Sequence, residues 1–159
     1  MDVMQDVNKI QDKYKPLLGE KAWKVSIGHS SYIAFEFGKP IEKTSKTDTY
    51  IRGEWHLWIY TPAWFLETDH EFMAAGIGDS VDTLVSAVKL MEGVTLQSID
   101  IHPPSFETII IFDNNLRLHI FPSAARESMW MLYTPDNNVL TIAPGEWVYE
   151  NADSPRKFT

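Results

Sequence analysis

Two stretches of the chain place apolar residues at helical spacing. In the first, an apolar residue recurs every three or four positions, which predicts an amphipathic helix over residues 2–15. Pro16 should end this helix, because the proline ring clashes with the preceding turn. The predicted apolar face consists of Val3, Val7, Ile10, Tyr14 and Leu17.

The second helical pattern covers residues 79–92. Asp79 or Ser80 can cap its start, since both side chains accept hydrogen bonds from free backbone N–H groups, and Gly93 suits its C-terminal cap. The apolar face of this helix consists of Val81, Leu84, Val85, Val88 and Met91.

Elsewhere apolar and polar residues alternate with a period of two, which is typical of antiparallel strands. Turn residues such as Gly, Pro, Asn and Asp separate the alternating runs. The predicted strand regions are residues 22–38 and 93–122, which contain two and three strands, and residues 50–66, 128–134, 139–143 and 147–149.

Asn114 and Asn115 give the most specific prediction of strand register. If they form a two-residue turn, which asparagine suits because it tolerates positive φ, Ile111 faces Leu118 across the hairpin. One face would then be wholly apolar, and the helix over residues 79–92 is expected to lie across it. That face carries Ile109, Ile111, Leu116, Leu118 and Ile120, and the mixed face carries Thr108, Ile110, Phe112, Arg117, His119 and Phe121.

Three segments lack both periods. Residues 39–49 are polar and lysine-rich and are expected to form an exposed loop, residues 67–78 a crossing loop, and residues 151–159 a polar tail. The patterns together predict a single α+β domain over residues 1–150. It should contain a curved, mainly antiparallel sheet of about eight or nine strands, one packed central helix and an N-terminal helix.

Composition excludes several classes of protein. The chain has 159 residues and no cysteine, so disulfides and thiolate chemistry are excluded. The N-terminus carries acidic residues where a signal peptide requires basic ones, and no apolar run is long enough to cross a membrane. We therefore expect a cytoplasmic protein with no membrane partner.

The charge of the chain is negative and unevenly distributed. The formal net charge is −8 at pH 7, and residues 50–159 carry six basic and fifteen acidic side chains, which gives −9. A surface of this sign repels phosphate backbones, so nucleic-acid binding is not expected. Such charge also keeps small domains in solution, and this interpretation stays open beside that of an acidic face for a basic partner.

No recognised catalytic or cofactor motif occurs in the sequence. The five histidines are dispersed, with no spacing typical of a metal site, and no glycine-rich nucleotide-binding loop is present. The segment around Ser30 approaches a serine-hydrolase motif, but Tyr32 stands where that motif needs glycine, and a strand follows. We expect neither a metal nor a cofactor.

Polar and aromatic residues could form a ligand pocket. His56, Trp58 and Tyr60 share one face of a predicted strand, and Arg117 and His119 share the mixed face of the hairpin. If folding brings these two faces together, the five residues form a polar-aromatic site for a ligand. The alternative is a second, smaller core whose polar tips reach backbone partners.

An acidic segment could bind a protein partner. Glu67, Asp69 and Glu71 lie beside Phe72 and Met73, with no Lys or Arg between them. Acidic residues around an apolar anchor can steer a basic surface and then hold it. Solvated acidic residues without a role remain the alternative interpretation.

Three short motifs carry a resemblance to a class of bacterial proteins. They are Gly53-Glu54-Trp55-His56-Leu57-Trp58-Ile59, Leu116-Arg117-Leu118 and Trp130-Met131-Leu132-Tyr133. Their order over about residues 22–150 resembles small stand-alone bacterial domains, some of which look like toxin-immunity proteins. The resemblance implies no catalytic residues.

Two functions are consistent with the sequence. The first is a non-enzymatic, immunity-like interaction domain that binds a basic protein through an acidic surface, with a homo-oligomer left open. The second is a small-ligand-binding or enzymatic domain around His56, Tyr60, Arg117 and His119. A deep pocket with converging polar groups would favour the second function, and an exposed acidic or aromatic patch would favour the first.

Overall fold

The computed structural model of the chain describes residues 3–154 and has an α+β fold. Its two α-helices are α1 (Val3–Tyr14) and α2 (Val81–Lys89). Its strands are β1 (Ala22–Ile27), β2 (Ile33–Thr44), β3 (Thr49–Ile59), β4 (Trp64–Glu67), β5 (Phe72–Ala75), β6 (Leu96–His102), β7 (Glu107–Phe112), β8 (Arg117–Ile120), β9 (Trp130–Tyr133), β10 (Asn138–Ala143) and β11 (Glu146–Asn151).

The strands form two antiparallel sheets, whereas the sequence patterns predicted one. The six-stranded sheet has the order β1-β2-β3-β9-β10-β11, and the five-stranded sheet has the order β5-β4-β8-β7-β6. The predicted strand region 50–66 is divided between them, because the chain leaves β3 at Ile59 and enters β4 at Trp64. Pro62 lies in this connection, where its missing N–H removes no hydrogen bond from either sheet.

One hydrophobic core lies between the two sheets. The ring of Phe35 on β2 stacks on that of Phe112 on β7, with 6.1 Å between their centroids. Trp130 on β9 donates a hydrogen bond from Nε1 to Oγ1 of Thr108 on β7, at 2.9 Å. The inner faces of both sheets therefore pack against each other, and each sheet keeps a second face on the outside.

The N-terminal helix is confirmed, with its apolar face packed into the core. Tyr14 and three other residues of the predicted face, Val7, Ile10 and Leu17, are buried. The Tyr14 hydroxyl donates to the carbonyl oxygen of Ile99 on β6 at 2.5 Å, and Trp147 Nε1 on β11 donates to Asp6 at 3.3 Å. Helix α1 thus contacts β6 and β11, each of which is the outermost strand of its sheet.

Helix α2 is shorter than predicted and lies elsewhere. Ser80 is its N-cap and accepts a hydrogen bond from the Thr83 backbone N–H at 3.2 Å. The helix contacts the outermost strands β1 and β5, so it is not a central helix across the β7–β8 hairpin. Because it lies at the margin of both sheets, it buries Leu84, Ala87 and Val88 but leaves Val81 and Val85 exposed.

The predicted register of the β7–β8 hairpin is wrong by one residue. Ile111 pairs with Arg117 and Ile109 with His119, because the turn has three residues and Asn115 adopts a φ of 68°. The core face consequently carries Thr108, Ile110, Phe112, Leu118 and Ile120. Ile109 and Ile111 lie on the outer face together with Arg117 and His119, so two of these four outward-facing residues are apolar.

Residues 39–49 do not form the predicted loop. They belong to an exposed β-ribbon of residues 39–51. Strands β2 and β3 stay paired as far as Thr44 and Thr49, so only residues 45–48 form a turn. The ribbon extends beyond the core, and both of its faces carry polar side chains. The alternation of apolar and polar residues that predicts a strand is therefore absent there. Gly53 is required at its base, because a Cβ there would lie 2.4 Å from the Phe37 carbonyl oxygen.

Two further segments differ from the predicted loop and tail. Strand β5 occupies residues 72–75 of the predicted crossing loop and pairs with β4. Asn151 ends β11, and the backbone N–H of Ala152 donates to the Asn137 carbonyl oxygen at 2.9 Å, so the predicted tail begins inside the fold. Residues 155–159 of that tail lie outside the described residues.

Candidate functional site

The structure does not bring the five predicted ligand residues together. His56 and Trp58 lie on β3 of the six-stranded sheet, with Tyr60 directly after it, whereas Arg117 and His119 lie on β8 of the five-stranded sheet. Both groups alternate with residues buried in the shared core, so each lies on the outer face of its own sheet. The predicted pocket is therefore two separate clusters.

The cluster on the six-stranded sheet combines aromatic rings with a buried acid–imidazole pair. Nδ1 of His56 lies 2.7 Å from Oε1 of Glu36, which also accepts a hydrogen bond from the Gly53 backbone N–H at 3.0 Å. The Trp58 ring meets Tyr60 edge to face at 4.6 Å, and Tyr60 meets Tyr32 at 4.9 Å. Fixed rings of this kind present a flat, amphipathic surface.

Arg52 borders the same face, and the sequence patterns did not single it out. It lines an open cavity of about 570 Å³ together with His56, Trp58 and Tyr133. Its guanidinium lies over the Tyr133 ring, 4.8 Å from the centroid. The only signal in the sequence was a charged residue within a strand, and such residues usually reach solvent.

The cluster on the five-stranded sheet is a charge network centred on Arg117. Its guanidinium donates to Glu67 Oε2 at 3.1 Å, to the Thr68 carbonyl oxygen at 3.1 Å, and to the carboxylate of Asp69. Nε2 of His119 lies 3.0 Å from the same Glu67 oxygen. Burial raises the pKa of Glu67, but hydrogen bonds from Arg117 and His119 outweigh it and lower that pKa below its ordinary value.

This network changes the predicted partner-binding segment. Glu67 and Asp69 were expected to be uncompensated, yet folding places Arg117 against both of them. Glu71 and Phe72 remain exposed, and the Phe72 ring stacks on Phe65 at 6.1 Å. Met73 is half-buried and lines a groove beside α2.

Exposed apolar side chains concentrate on and before α2. Val81 is 72% exposed and Val85 is 41% exposed, although both belong to the apolar face of the helical pattern. Of the nine large apolar residues exposed within residues 3–154, five lie between Phe72 and Leu90. Such a concentration marks an interaction surface more often than scattered exposed residues do.

Two grooves flank α2. The first, here called the α2 groove, has a volume of about 470 Å³ and separates the helix from the turn after β1. It is lined by Ile27, Gly28, Ser30, Ser31, Val81, Leu84 and Val85. The second, of about 490 Å³, lies between the helix and β5 and includes Met73 and Leu90.

Acidic residues surround the start of α2. Asp79 and Asp82 flank Val81 in sequence, and Asp79 Oδ2 accepts a hydrogen bond from the Ala75 backbone N–H at 2.7 Å. Residues 67–82 contain five acidic side chains and no Lys or Arg. The single charge of Arg117 compensates only part of this negative charge, and Asp82 lines the second groove, between α2 and β5.

Within residues 3–154, no three His, Cys, Asp or Glu side chains are grouped as a metal ion would require. None of the helices there is long and apolar enough to span a membrane. Comparisons with protein-family models, curated proteins and solved structures found no match.

Proposed function

We propose that this protein is a non-enzymatic binding domain that holds a basic protein partner in the α2 groove. The observation that carries the proposal is the exposure of Val81 and Val85 on a helix whose other apolar residues enter the core. Both valines line the groove, where Ile27 and Leu84 provide an apolar floor. A segment of a partner laid along α2 would cover all four side chains.

The apolar side chains account for the strength of such a complex. Val81 and Val85 are one helical turn apart, so they present a continuous strip to a partner. Burying a valine side chain contributes about 1.5–3 kcal/mol. Recognition of a segment in an apolar groove commonly depends on two or three such anchors, with the surrounding polar rim excluding water.

The acidic residues at the start of α2 account for the choice of a basic partner. Asp79 and Asp82 lie beside the valines, and residues 50–159 carry a net charge of −9. Complementary charge steers a basic partner towards the groove and raises its association rate. A second copy of this chain would present the same acidic residues, so the charge disfavours a homodimer through this face. A basic toxin would be such a partner, in line with the resemblance to immunity-like proteins.

Site-specific photocrosslinking tests the proposal in cells that express the protein naturally. A photoreactive benzoylphenylalanine placed at Val81 or Val85 should form an adduct with one basic protein. Ile51 provides the matched control, because it is apolar and 64% exposed but lies on the β-ribbon. Exposed positions tolerate such replacements with little loss of stability.

The pattern of adducts decides the outcome. A basic protein captured at positions 81 and 85 and not at 51 supports the proposal. An acidic partner, equal capture at all three positions, or no capture at positions 81 and 85 would contradict it. Capture of a second copy of this chain would assign the surface to a homo-oligomer instead.

A further inference from the structure

Arg52 is a buried cation with no acid or hydrogen-bond acceptor among the described residues. It is 8% exposed, and its Nε is fully buried without a hydrogen-bond partner. Throughout residues 3–154 no carboxylate forms an ion pair with it, and its contact is with the Tyr133 ring at 4.8 Å. Buried guanidinium groups are normally paired, because an unpaired charge loses its hydration without replacement.

Residues 3–154 do not supply the missing anion. Glu36, the buried acid of the neighbouring strand β2, is engaged by His56 and by the Gly53 backbone N–H. Asp153 lies at the rim of the cavity, where its carboxylate accepts from the Asn137 side-chain amide at 2.9 Å. Stacking on Tyr133 stabilises the position of the guanidinium but leaves its N–H donors free.

The cavity beside Arg52 has the size and lining of a small-molecule site. Its volume is about 570 Å³, and its walls come from the β-ribbon on one side and from residues around Asn137 and Asp153 on the other. Three aromatic side chains line it, namely Tyr50, Trp58 and Tyr133, and Lys43 adds a second positive charge. A cavity that combines aromatic walls with a few placed charges is typical of ligand sites.

We propose that this cavity binds a small aromatic anion, with its phosphate or carboxylate group against Arg52. The planar guanidinium can donate two parallel hydrogen bonds to either oxyanion through its terminal N–H groups, which gives the buried cation its missing anion. The aromatic residues then contact the flat ring of the ligand, and Lys43 faces the oxyanion from the β-ribbon. The site shares no lining residue with the α2 groove, so it stands independently of the proposed partner.

Nuclear magnetic resonance of the wild-type protein tests this site directly. The resonance of the Arg52 Nε–H group should shift on addition of phenyl phosphate or benzoate at millimolar concentration, because the guanidinium to which it belongs gains an anionic acceptor. The stronger of these two probes identifies the preferred oxyanion. Inorganic phosphate should bind more weakly, since it lacks the ring, and neutral benzamide should cause no comparable shift.

A matched pair of variants distinguishes the contribution of Arg52 to ligand affinity from a general effect of positive charge. Arg52→Met should weaken binding of the better probe by about tenfold or more, because charge-assisted hydrogen bonds are lost. Arg126→Met removes the same charge at an exposed position and should leave the affinity unchanged. Equal affinity in wild type and Arg52→Met, or an unshifted Nε–H resonance in wild type with both aromatic anions, overturns the proposal. Comparable shifts with benzamide overturn it as well.

Discussion

Arg117 determines the electrostatics of the outer face of the five-stranded sheet. It binds two acidic side chains and a carbonyl oxygen that lie about fifty positions earlier in the sequence. His119 and Phe65 complete the cluster, with their rings stacked at 4.2 Å. This arrangement explains why a segment that looks strongly acidic in sequence is only partly acidic on the surface.

The lowered pKa of Glu67 makes its contribution to stability depend on pH. The pKa of Glu67 in the folded protein is below its ordinary value of 4.5. Ionised Glu67 therefore stabilises the folded state fully above that pH. This stabilisation is lost as the pH falls through the lower pKa of the folded state. Glu67→Gln should therefore reduce the free energy of unfolding at neutral pH. The reduction should be roughly 0.5–1 kcal/mol, because ion pairs in a partly exposed network contribute little to stability.

Urea denaturation at several pH values measures this effect. Glu71→Gln serves as the control, because Glu71 is exposed and its carboxylate has no described partner. The difference between Glu67→Gln and wild type should shrink as the pH is lowered below about 4.5, where Glu67 is protonated first in the unfolded chain and then, through its lower pKa, in the folded protein. A difference that is constant with pH, or as large in Glu71→Gln, would show that the network does not stabilise the fold.

At the scale of single elements, helix α2 depends on its N-cap residue. Ser80 Oγ accepts from the Thr83 backbone N–H, which would otherwise have no acceptor within the helix. Ser80→Ala should lower the free energy of unfolding by about 1 kcal/mol, as is usual when a helix cap is lost. Ser86→Ala, an exposed change inside the same helix, should be neutral or slightly stabilising.

Thermal and urea denaturation of these two variants gives the comparison. The helix contacts β1 and β5 and contributes Leu84 and Val88 to the core, so loosening its start should lower global stability. If Ser80→Ala is as stable as Ser86→Ala, the start of α2 is not held by this cap. The geometry of the α2 groove would then need another explanation.

The two helices and the outlines of most strands could be predicted from the sequence, since periodicity is a local property. Val7, Ile10, Tyr14 and Leu17 from the predicted apolar face of the first helix are buried. The division into two sheets could not be predicted, because it depends on which distant strands pair. The predicted β7–β8 register was wrong, because Asn114 and Asn115 suit both two-residue and three-residue turns.

The candidate sites were less predictable than the fold for the same reason. Arg52 meets Tyr133, and Arg117 meets Glu67, only through contacts between distant parts of the chain. His56 and His119 looked equivalent in sequence, and nothing local indicated that they belong to different sheets. Val81 and Val85 fit a core-facing pattern, and their exposure follows from the position of α2 at the margin of both sheets.

For the whole molecule, the two candidate binding sites have different chemistry. The α2 groove is mainly apolar and lies beside a helix that begins with acidic residues, whereas the Arg52 cavity is aromatic with a buried positive charge. A large partner suits the first surface and a small anion suits the second. The two can be tested separately, because substitutions at Val81 and Val85 change no residue that lines the cavity.

Affinity for the protein captured by crosslinking is the most direct test of the central claim. The double variant Val81→Ser with Val85→Ser should weaken the equilibrium binding of that partner by roughly tenfold or more, since two anchors are truncated. Ile51→Ser on the β-ribbon should bind as wild type does, and the wild-type association rate should fall with added salt. Unchanged affinity in the double variant would contradict the claim that the α2 groove holds the partner.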